Sequence, residues 1–498
     1  MGLNSSVLRT KPIVGHIDGH GLKRSLTSFD LTMLGIGAII GAGIFVLTGK
    51  TAANAAGPAI ILSFVLAGFA CACAALSYAE MAASVGGAGS AYGYGYATLG
   101  ELPAWVICWM LICEYTVAVA AVSVGWSGYF NDFLIAVFGS GLPDWLRHGP
   151  FDLQHPGLIN LPAATIIALL GILLATGAKS SARFNAVVVV IKLLAIAIFI
   201  GVAIPHVDPA NWRPFIPPKE VIPGSIAGFS WEMRLVDLFH YWFGDAADGA
   251  TRYGIGGVIG GASFIFFAYL GFDAVSTSAE ETADPQRDLP IGILSSLLIC
   301  TALYIVVSAL LTGVVSYKQL NVDAPVSFAL LQIGEQWAAG MISVGAVAGL
   351  TTVMLVMYYG QTRVLMAVSR DGLLPRFLSA VDAKSGSPKR SIMLTGVVMV
   401  LLGGFVPLQQ LGELANIGTL GAFIVVCIGV IVLRRKRPDL ARPFRVPLFP
   451  LVPLIGTASC VLLILNLAVF TWAAFAVWMG LGLLLYFGYS RSHSLLAR

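Results

Sequence analysis

Charge is what this chain has least of. Of its 498 residues 11% are charged and 57% hydrophobic, and the mean hydropathy is +0.86. An ordinary soluble domain is about a quarter charged, so a water-soluble globular fold is excluded. Metal and redox chemistry are equally thin. The seven cysteines (Cys71, Cys73, Cys108, Cys113, Cys300, Cys427, Cys460) all fall in apolar runs. They offer neither a disulfide framework nor a zinc spacing and read as small packing residues. The seven histidines (His16, His20, His148, His155, His206, His240, His493) lie in tails and loops, so no intramembrane metal site assembles from them. No cofactor and no metal are expected. A cleavable leader is not expected either, because the first 25 residues are polar and the first apolar run is a full span.

Long apolar runs are what the chain has in abundance. Crossing about 30 Å of hydrocarbon takes roughly 20 helical residues. Runs of that kind fall near 30–49, 57–84, 101–130, 159–177, 183–204, 255–280, 290–314, 336–368, 391–408, 411–433, 449–469 and 471–489, predicting an all-α polytopic membrane protein of about twelve spans. Placing the amino terminus in the cytoplasm puts 20 of the 29 Lys and Arg inside and 7 outside, with Lys192 and Arg363 within spans. That bias predicts an inner-membrane protein with both termini cytoplasmic. The net charge of +4 then reports topology and gives no sign of nucleic-acid binding.

The expected organisation is a cytoplasmic segment 1–28, five spans over 29–204, an outer connection 205–254 and five further spans over 255–433. A basic inner loop 434–448, an accessory pair 449–489 and a tail 490–498 follow. Five is odd, so the second set begins from the opposite side and is inverted relative to the first. In the outer connection, 231–243 is amphipathic; an interfacial anchor and an external lid are both open readings. Arg434, Arg435, Lys436 and Arg437 are expected to enforce topology and to meet anionic lipid.

The first span of each set is interrupted. One carries Gly35, Gly37, Gly41 and Gly43 within nine residues, and the other carries Gly271 followed by a charged Asp273. Glycine costs about 1 kcal/mol relative to alanine in a helix interior, so unwinding is cheap there. Unwound backbone at membrane depth is tolerated only where protein buries it or a watery cavity is present, and a pair of such breaks points to a transporter's binding site. Where the helix restarts at Gly41, Ala42, Gly43 and Ile44, free N–H groups and a positive dipole end suit a carboxylate; close helix packing is the plainer reading. At the second break Phe267, Ala268, Tyr269 and Leu270 expose carbonyl acceptors suited to an ammonium. Asp273 either caps the second half-helix or acts on substrate or proton.

Ionisable residues deep in a span are functional hypotheses by default. Lys192 lies about nine residues into its span, roughly 14 Å along the helix, and a desolvated lysine gives up its proton readily. Proton coupling and a static ion pair are its two readings. Glu114 lies at similar depth, placed to neutralise Lys192, to meet a substrate amine or to lock two helices. Glu80 and Arg363 lie nearer the inner face, either snorkelling or forming a cytoplasmic gate pair. The charged stretch from Glu280 and Glu281 to Pro290 reads as a tight connector.

At the 35–45 glycine run, at 266–277, at 280–292 and at 360–375 the chain resembles the amino acid, polyamine and organocation (APC) transporter superfamily. Within it, the resemblance is to bacterial relatives of cationic amino acid transporters. It implies a leucine-transporter-like 5+5 inverted repeat and amino acid uptake by alternating access. Ile40, Gly41, Ala42, Gly43 and Ile44 would hold the substrate carboxylate, and Phe267, Ala268 and Leu270 its amine. In sodium-coupled members a cation lies between the first and eighth spans; the proton-driven branch is similar to this chain in placing a lysine, here Lys192, in its stead. One or more of Thr352, Met354 and Met357 on the eighth span are expected to face the substrate side chain, and by size alone bulky Met there favours small neutral amino acids over arginine. Two features depart from the pattern: the stretch 225–252 is longer than in that branch, and twelve spans are found where mammalian cationic carriers have fourteen.

Proton-coupled symport of L-amino acids is the expectation, with exchange of amino acids or polyamines as the alternative within transport. The partners are substrate, protons and lipid. A membrane enzyme would need an intramembrane cluster of His, Cys or paired carboxylates, and a channel would need repeated pore loops.

Overall fold

The computed structural model describes residues 9–11, 26–85, 90–152, 155–177, 182–221, 230–242, 251–278, 282–382 and 385–497. Glu280 and Glu281 of the connector lie outside them, as do Lys23, Arg24, Lys179 and Lys384, which count among the basic residues expected inside. The chain is mostly helical, with many apolar helices, as a polytopic membrane protein must be where no water satisfies the backbone.

Helix α1 (Ser28–Ile39) opens on a reciprocal cap: the Thr27 hydroxyl accepts from the Asp30 amide and the Asp30 carboxylate from the Thr27 amide. It stops at Ile40, which is extended at φ −71°, ψ 97°. Helical turns resume with a π-helical stretch over Gly43–Leu47 and run on to Gly57, at φ +62°. The long helices α2 (Ile60–Val85), α3 (Ser90–Thr98) and α4 (Glu101–Phe138) follow, the last ended by Gly139 in the left-handed region at φ +74°. Next come α5 (Leu161–Ala175), capped by Asn160, and α6 (Ala182–Ala203).

Beyond a connection lies α7 (Leu235–Trp242), and then α8 (Gly254–Ile265), which tightens into a 3₁₀ turn over Phe266–Tyr269. The chain is unwound at 270–272, with Gly271 at φ +110°, before 3₁₀ turns over Asp273–Ser278. The remaining elements are α9 (Pro285–Val314), α10 (Pro325–Gln332), α11 (Gln336–Arg370), α12 (Lys389–Phe405), α13 (Leu408–Lys436), α14 (Leu451–Leu465) and α15 (Val469–Leu485). Both interrupted helices are short apolar pieces, Ser28–Ile39 and Gly254–Tyr269, whereas α4, α9, α11 and α13 are each long enough to cross a membrane alone.

Packing separates the helices into an inner and an outer set. Helix α4 lies against α11 and α13, and α9 against α1 and α2. Exposed apolar side chains gather on the outer helices: Ile172 on α5, Leu194 on α6, Leu298 on α9 and Val397 on α12. Such faces are stable only against lipid.

The 205–254 connection is more structured than its sequence suggests. Glu220–Val221 pairs antiparallel with Thr251–Arg252. The 231–242 segment is docked on the turn between α14 and α15: the Leu235 amide donates to the Leu467 carbonyl (3.0 Å) and the Phe470 amide to that of Trp231 (2.9 Å). Met233 and Leu238 bury against Val469. The accessory pair thus holds this segment in place.

Candidate functional site

The two breaks touch. A Cβ on Gly43 would overlap Ala268, one on Gly271 would come within 2.9 Å of the Ala38 Cβ, and one on Gly41 within 3.3 Å of Val353 on α11. The glycines of the first break therefore serve close approach of backbones as well as unwinding. Tyr304 on α9 links the breaks: its hydroxyl lies 2.8 Å from the carbonyl oxygens of both Ile39 and Ala268. Nothing in the sequence separates this tyrosine from the fourteen others.

The carbonyl side of the first break is occupied by Lys192. Its ammonium donates to the carbonyls of Gly37 (2.6 Å) and Ile40 (3.0 Å), and the side chain is fully buried. Gly349 on α11 leaves room for the lysine stem, since a Cβ there would lie 3.0 Å from the Lys192 Cγ. The cation thus sits between the end of α1 and helix α11. With its carbonyls met by Lys192 and Tyr304, the break presents its restarting end, where the first N–H groups of a helix have no intrahelical acceptor. Ile40, Gly41, Ala42, Gly43 and Ile44 are all buried there.

At the second break the three carbonyls named from the sequence differ. That of Phe267 accepts from the Leu270 amide (3.2 Å), and that of Ala268 shares the single Tyr304 O–H with the Ile39 carbonyl; each keeps a second lone pair. No partner of the Leu270 carbonyl is found among the described residues. Asn416 on α13 donates to the carbonyls of Ser263 (2.8 Å) and Phe264 (3.0 Å), holding the end of α8. An aromatic group of Tyr78, Phe266, Phe272 and Phe423 flanks the break, with ring centroids 5.0–5.9 Å apart.

Acids gather beside this second break. Asp273 accepts from the Tyr115 hydroxyl (3.1 Å), and its own carbonyl accepts from Ser276 (2.5 Å). Glu114, next to Tyr115 on α4, is fully buried. Neither of its carboxylate oxygens has a hydrogen-bond partner among the described residues; the neighbouring Thr419 hydroxyl donates to the Ala415 carbonyl (3.1 Å). Glu114 does not neutralise Lys192, whose ammonium is turned to the α1 carbonyls. Thr352, Met354 and Met357 on α11 are buried, and the Thr352 hydroxyl donates to the Gly349 carbonyl (2.8 Å).

Glu80 and Arg363 are not brought together as a pair. Arg434 grips the Glu80 carboxylate with two donors (2.8 and 2.5 Å), and the Val446 amide adds a third (2.7 Å). The Arg363 guanidinium instead lies over Tyr359 and donates to its hydroxyl. A buried carboxylate requires a full set of donors, and the basic run at the end of α13 supplies them. Arg434 therefore faces Glu80 rather than lipid.

The chain's two ends share one end of the bundle. The Lys11 amide donates to the Tyr96 carbonyl (3.1 Å), while Ser494 and Tyr486 donate to Glu101 (2.6 and 3.0 Å). Asp323, in the loop before α10, is bound by Lys50 (3.0 Å) and Arg147 (3.1 Å). Burial raises the proton affinity of Asp323, but Lys50, His148 and Arg147 outweigh it and hold the carboxyl down at about 2.

The fold and its two touching breaks define a multi-pass membrane protein with a buried, polar crossing of interrupted helices. A family model described as amino acid permease matches residues 26–485, and the chain belongs to that family; the family and the names of its relatives point to a transporter. It is 48% identical over 99% of both chains to the branched-chain amino acid permease BcaP of Bacillus subtilis (strain 168). It is 46% identical, again over 99% of both, to the methylthioribose transporter of the same organism. To the vacuolar cationic amino acid transporter 4 of Arabidopsis thaliana it is 36% identical, over 88% of this chain and 68% of that one.

Proposed function

We propose that this permease is a proton-coupled symporter that imports neutral amino acids with aliphatic side chains by alternating access. The five-helix sets 29–204 and 255–433 act as inverted halves, with both termini cytoplasmic. The substrate carboxylate sits on the N–H groups at Gly41, Ala42, Gly43 and Ile44, beside Ile40, whose own N–H caps the first half-helix on the Ile36 carbonyl (3.0 Å), and the amine on the free lone pairs of Phe267, Ala268 and Leu270. Thr352, Met354 and Met357 meet the side chain.

The carrying observation is the Lys192 Nζ on the carbonyls of Gly37 and Ile40. A charged lysine has three N–H donors, and the two carbonyl acceptors seen here match those of a neutral amine. Protonation therefore calls for a third acceptor at the first break, and a substrate carboxylate bound beside Ile40 supplies one. Proton and substrate favour each other, which is the linkage a symporter needs. Glu114 and Asp273 serve as acids beside the amine.

The substrate class rests on the two breaks together. The relatives named for branched-chain amino acids and for methylthioribose are almost equally similar, but methylthioribose has neither carboxylate nor ammonium, so this pair of breaks favours the amino acid. Uptake of radiolabelled leucine, alanine, arginine and methylthioribose into proteoliposomes under an imposed pH gradient tests both points. Leucine accumulation driven by inward proton flow is expected. Uptake that ignores the gradient and requires internal substrate would establish exchange instead, and uptake of methylthioribose alone would overturn the amino acid assignment.

A further inference from the structure

Away from the buried crossing, two imidazoles and a carboxylate converge in the loop between α4 and α5. One ligand atom from each of His148, Asp152 and His155 lies within 4.8 Å of the others. His148 turns its Nδ1 to the Asp152 carboxylate (3.2 Å) and its Nε2 to Asp323 (3.9 Å). The His148 and His155 rings lie 5.2 Å apart. We propose that His148, Asp152 and His155 bind a Zn2+ ion, and that the bound ion fastens this loop to the far end of the first broken helix and inhibits transport from that side.

The donor set selects the ion. Two imidazole nitrogens and one carboxylate oxygen are an ordinary three-ligand zinc set with a fourth position left to water, whereas Ca2+ and Mg2+ take oxygen. Bonds of roughly 2.1 Å in a tetrahedron put ligand atoms about 3.4 Å apart, so His155, exposed on its loop, moves in by about 1 Å. A metal on the Nδ1 side leaves the imidazole proton on Nε2, which faces Asp323 at 3.9 Å, beyond hydrogen-bond distance, so Asp323 adds negative charge beside the site rather than a hydrogen-bonded outer partner.

Asp323 carries the effect inward. It already holds Lys50, on the far part of the first broken helix, and Arg147, beside His148. It also packs on α4, where a Cβ on Gly128 would lie 2.7 Å from the Asp323 Cβ. Asp323 thus already ties the α4–α5 loop, the loop before α10 and the broken helix together, and zinc on His148, Asp152 and His155 would stiffen the loop that this unit shares. The inhibitory half of the proposal rests on the transport reading above; the binding half does not.

The test uses the full chain in detergent with any affinity tag removed, titrated with ZnCl2 by calorimetry and followed by thermal unfolding, with MgCl2 and CaCl2 as controls. Wild type is expected to take up one equivalent of Zn2+ and to melt at higher temperature with zinc alone. His155→Ala and Asp152→Asn are expected to lose that equivalent, while melting like wild type without metal. Asp323→Asn, which keeps all three ligands but removes a negative charge beside His148, is expected to weaken binding severalfold without abolishing it. Undiminished zinc uptake by His155→Ala, or equal stabilisation by CaCl2, would overturn the site. In proteoliposomes, Zn2+ on the Asp323 side should block wild-type uptake and spare His155→Ala. Binding without inhibition would overturn the inhibitory half, and a one-equivalent titration lost in His155→Ala would uphold the site even if the protein moved no amino acid.

Discussion

The two breaks differ in what their own protein satisfies. At the first, side chains take the carbonyl end, Lys192 on Gly37 and Ile40 and Tyr304 on Ile39, and the donor end is left. At the second, carbonyls along the end of α8 are met by Asn416, Tyr304 and the Leu270 amide, and acids gather beside the gap. A buried unpaired polar group costs about 1–3 kcal/mol, so an interrupted membrane helix persists only with such partners. The difference between them gives the crossing a polarity: donors and a lysine at one break, acceptors and acids at the other.

Removing the lysine should break that polarity most severely. Lys192→Met is expected to reduce gradient-driven uptake to background while leaving substrate binding measurable by thermal shift; full uptake in the variant would take Lys192 out of the mechanism. Glycine substitutions come next. Gly43→Ala pushes on Ala268, and Gly271→Ala adds a strained φ of +110° to a close approach on Ala38. Each should destabilise by about 1–3 kcal/mol, Gly271→Ala the more, read as lowered melting temperature in detergent. Wild-type melting in both would mean that the breaks are not in contact.

Tyr304→Phe removes the hydroxyl shared by the two breaks. A loss of about 1–3 kcal/mol is expected, and an unchanged melting temperature would show that the Ile39 and Ala268 carbonyls find other donors. The smallest effect concerns the far end of the first broken helix. The Asp323 carboxyl is held at about 2, below its unfolded value of about 3.9, so its stabilising contribution is present above about pH 4 and is lost as pH falls toward 2. The melting difference between wild type and Asp323→Asn should be constant above pH 4, shrink as the pH falls below it and vanish toward pH 2; a difference that grows on acidification would reverse the sign of the argument.

Some of this was legible from residue order. Glycine spacing and the charged Asp273 after Gly271 mark the unwound segments, because unwinding depends on a few consecutive residues. A lysine about nine residues into an apolar run announces its own burial. The partners were not legible. Tyr304 reaches residues 39 and 268, Asn416 reaches 263 and 264, and Glu80 is met by Arg434 instead of Arg363. Each pairing spans more than thirty residues and exists only because particular helices cross. The convergence of His148 and His155 on Asp152 is closer in sequence, yet its link to Asp323 depends on two loops meeting.

Residue order by itself thus determined that the chain lives in a membrane, that two helices are interrupted and that one cation is buried. Hydrophobic run length, glycine's low helical preference and the cost of desolvating charge all act over a single segment. Which carbonyls the lysine meets, which break keeps its donors and which its acids were decided only by tertiary structure. Hydrogen bonding is directional and short-ranged, and the groups that satisfy each break come from helices far away along the chain.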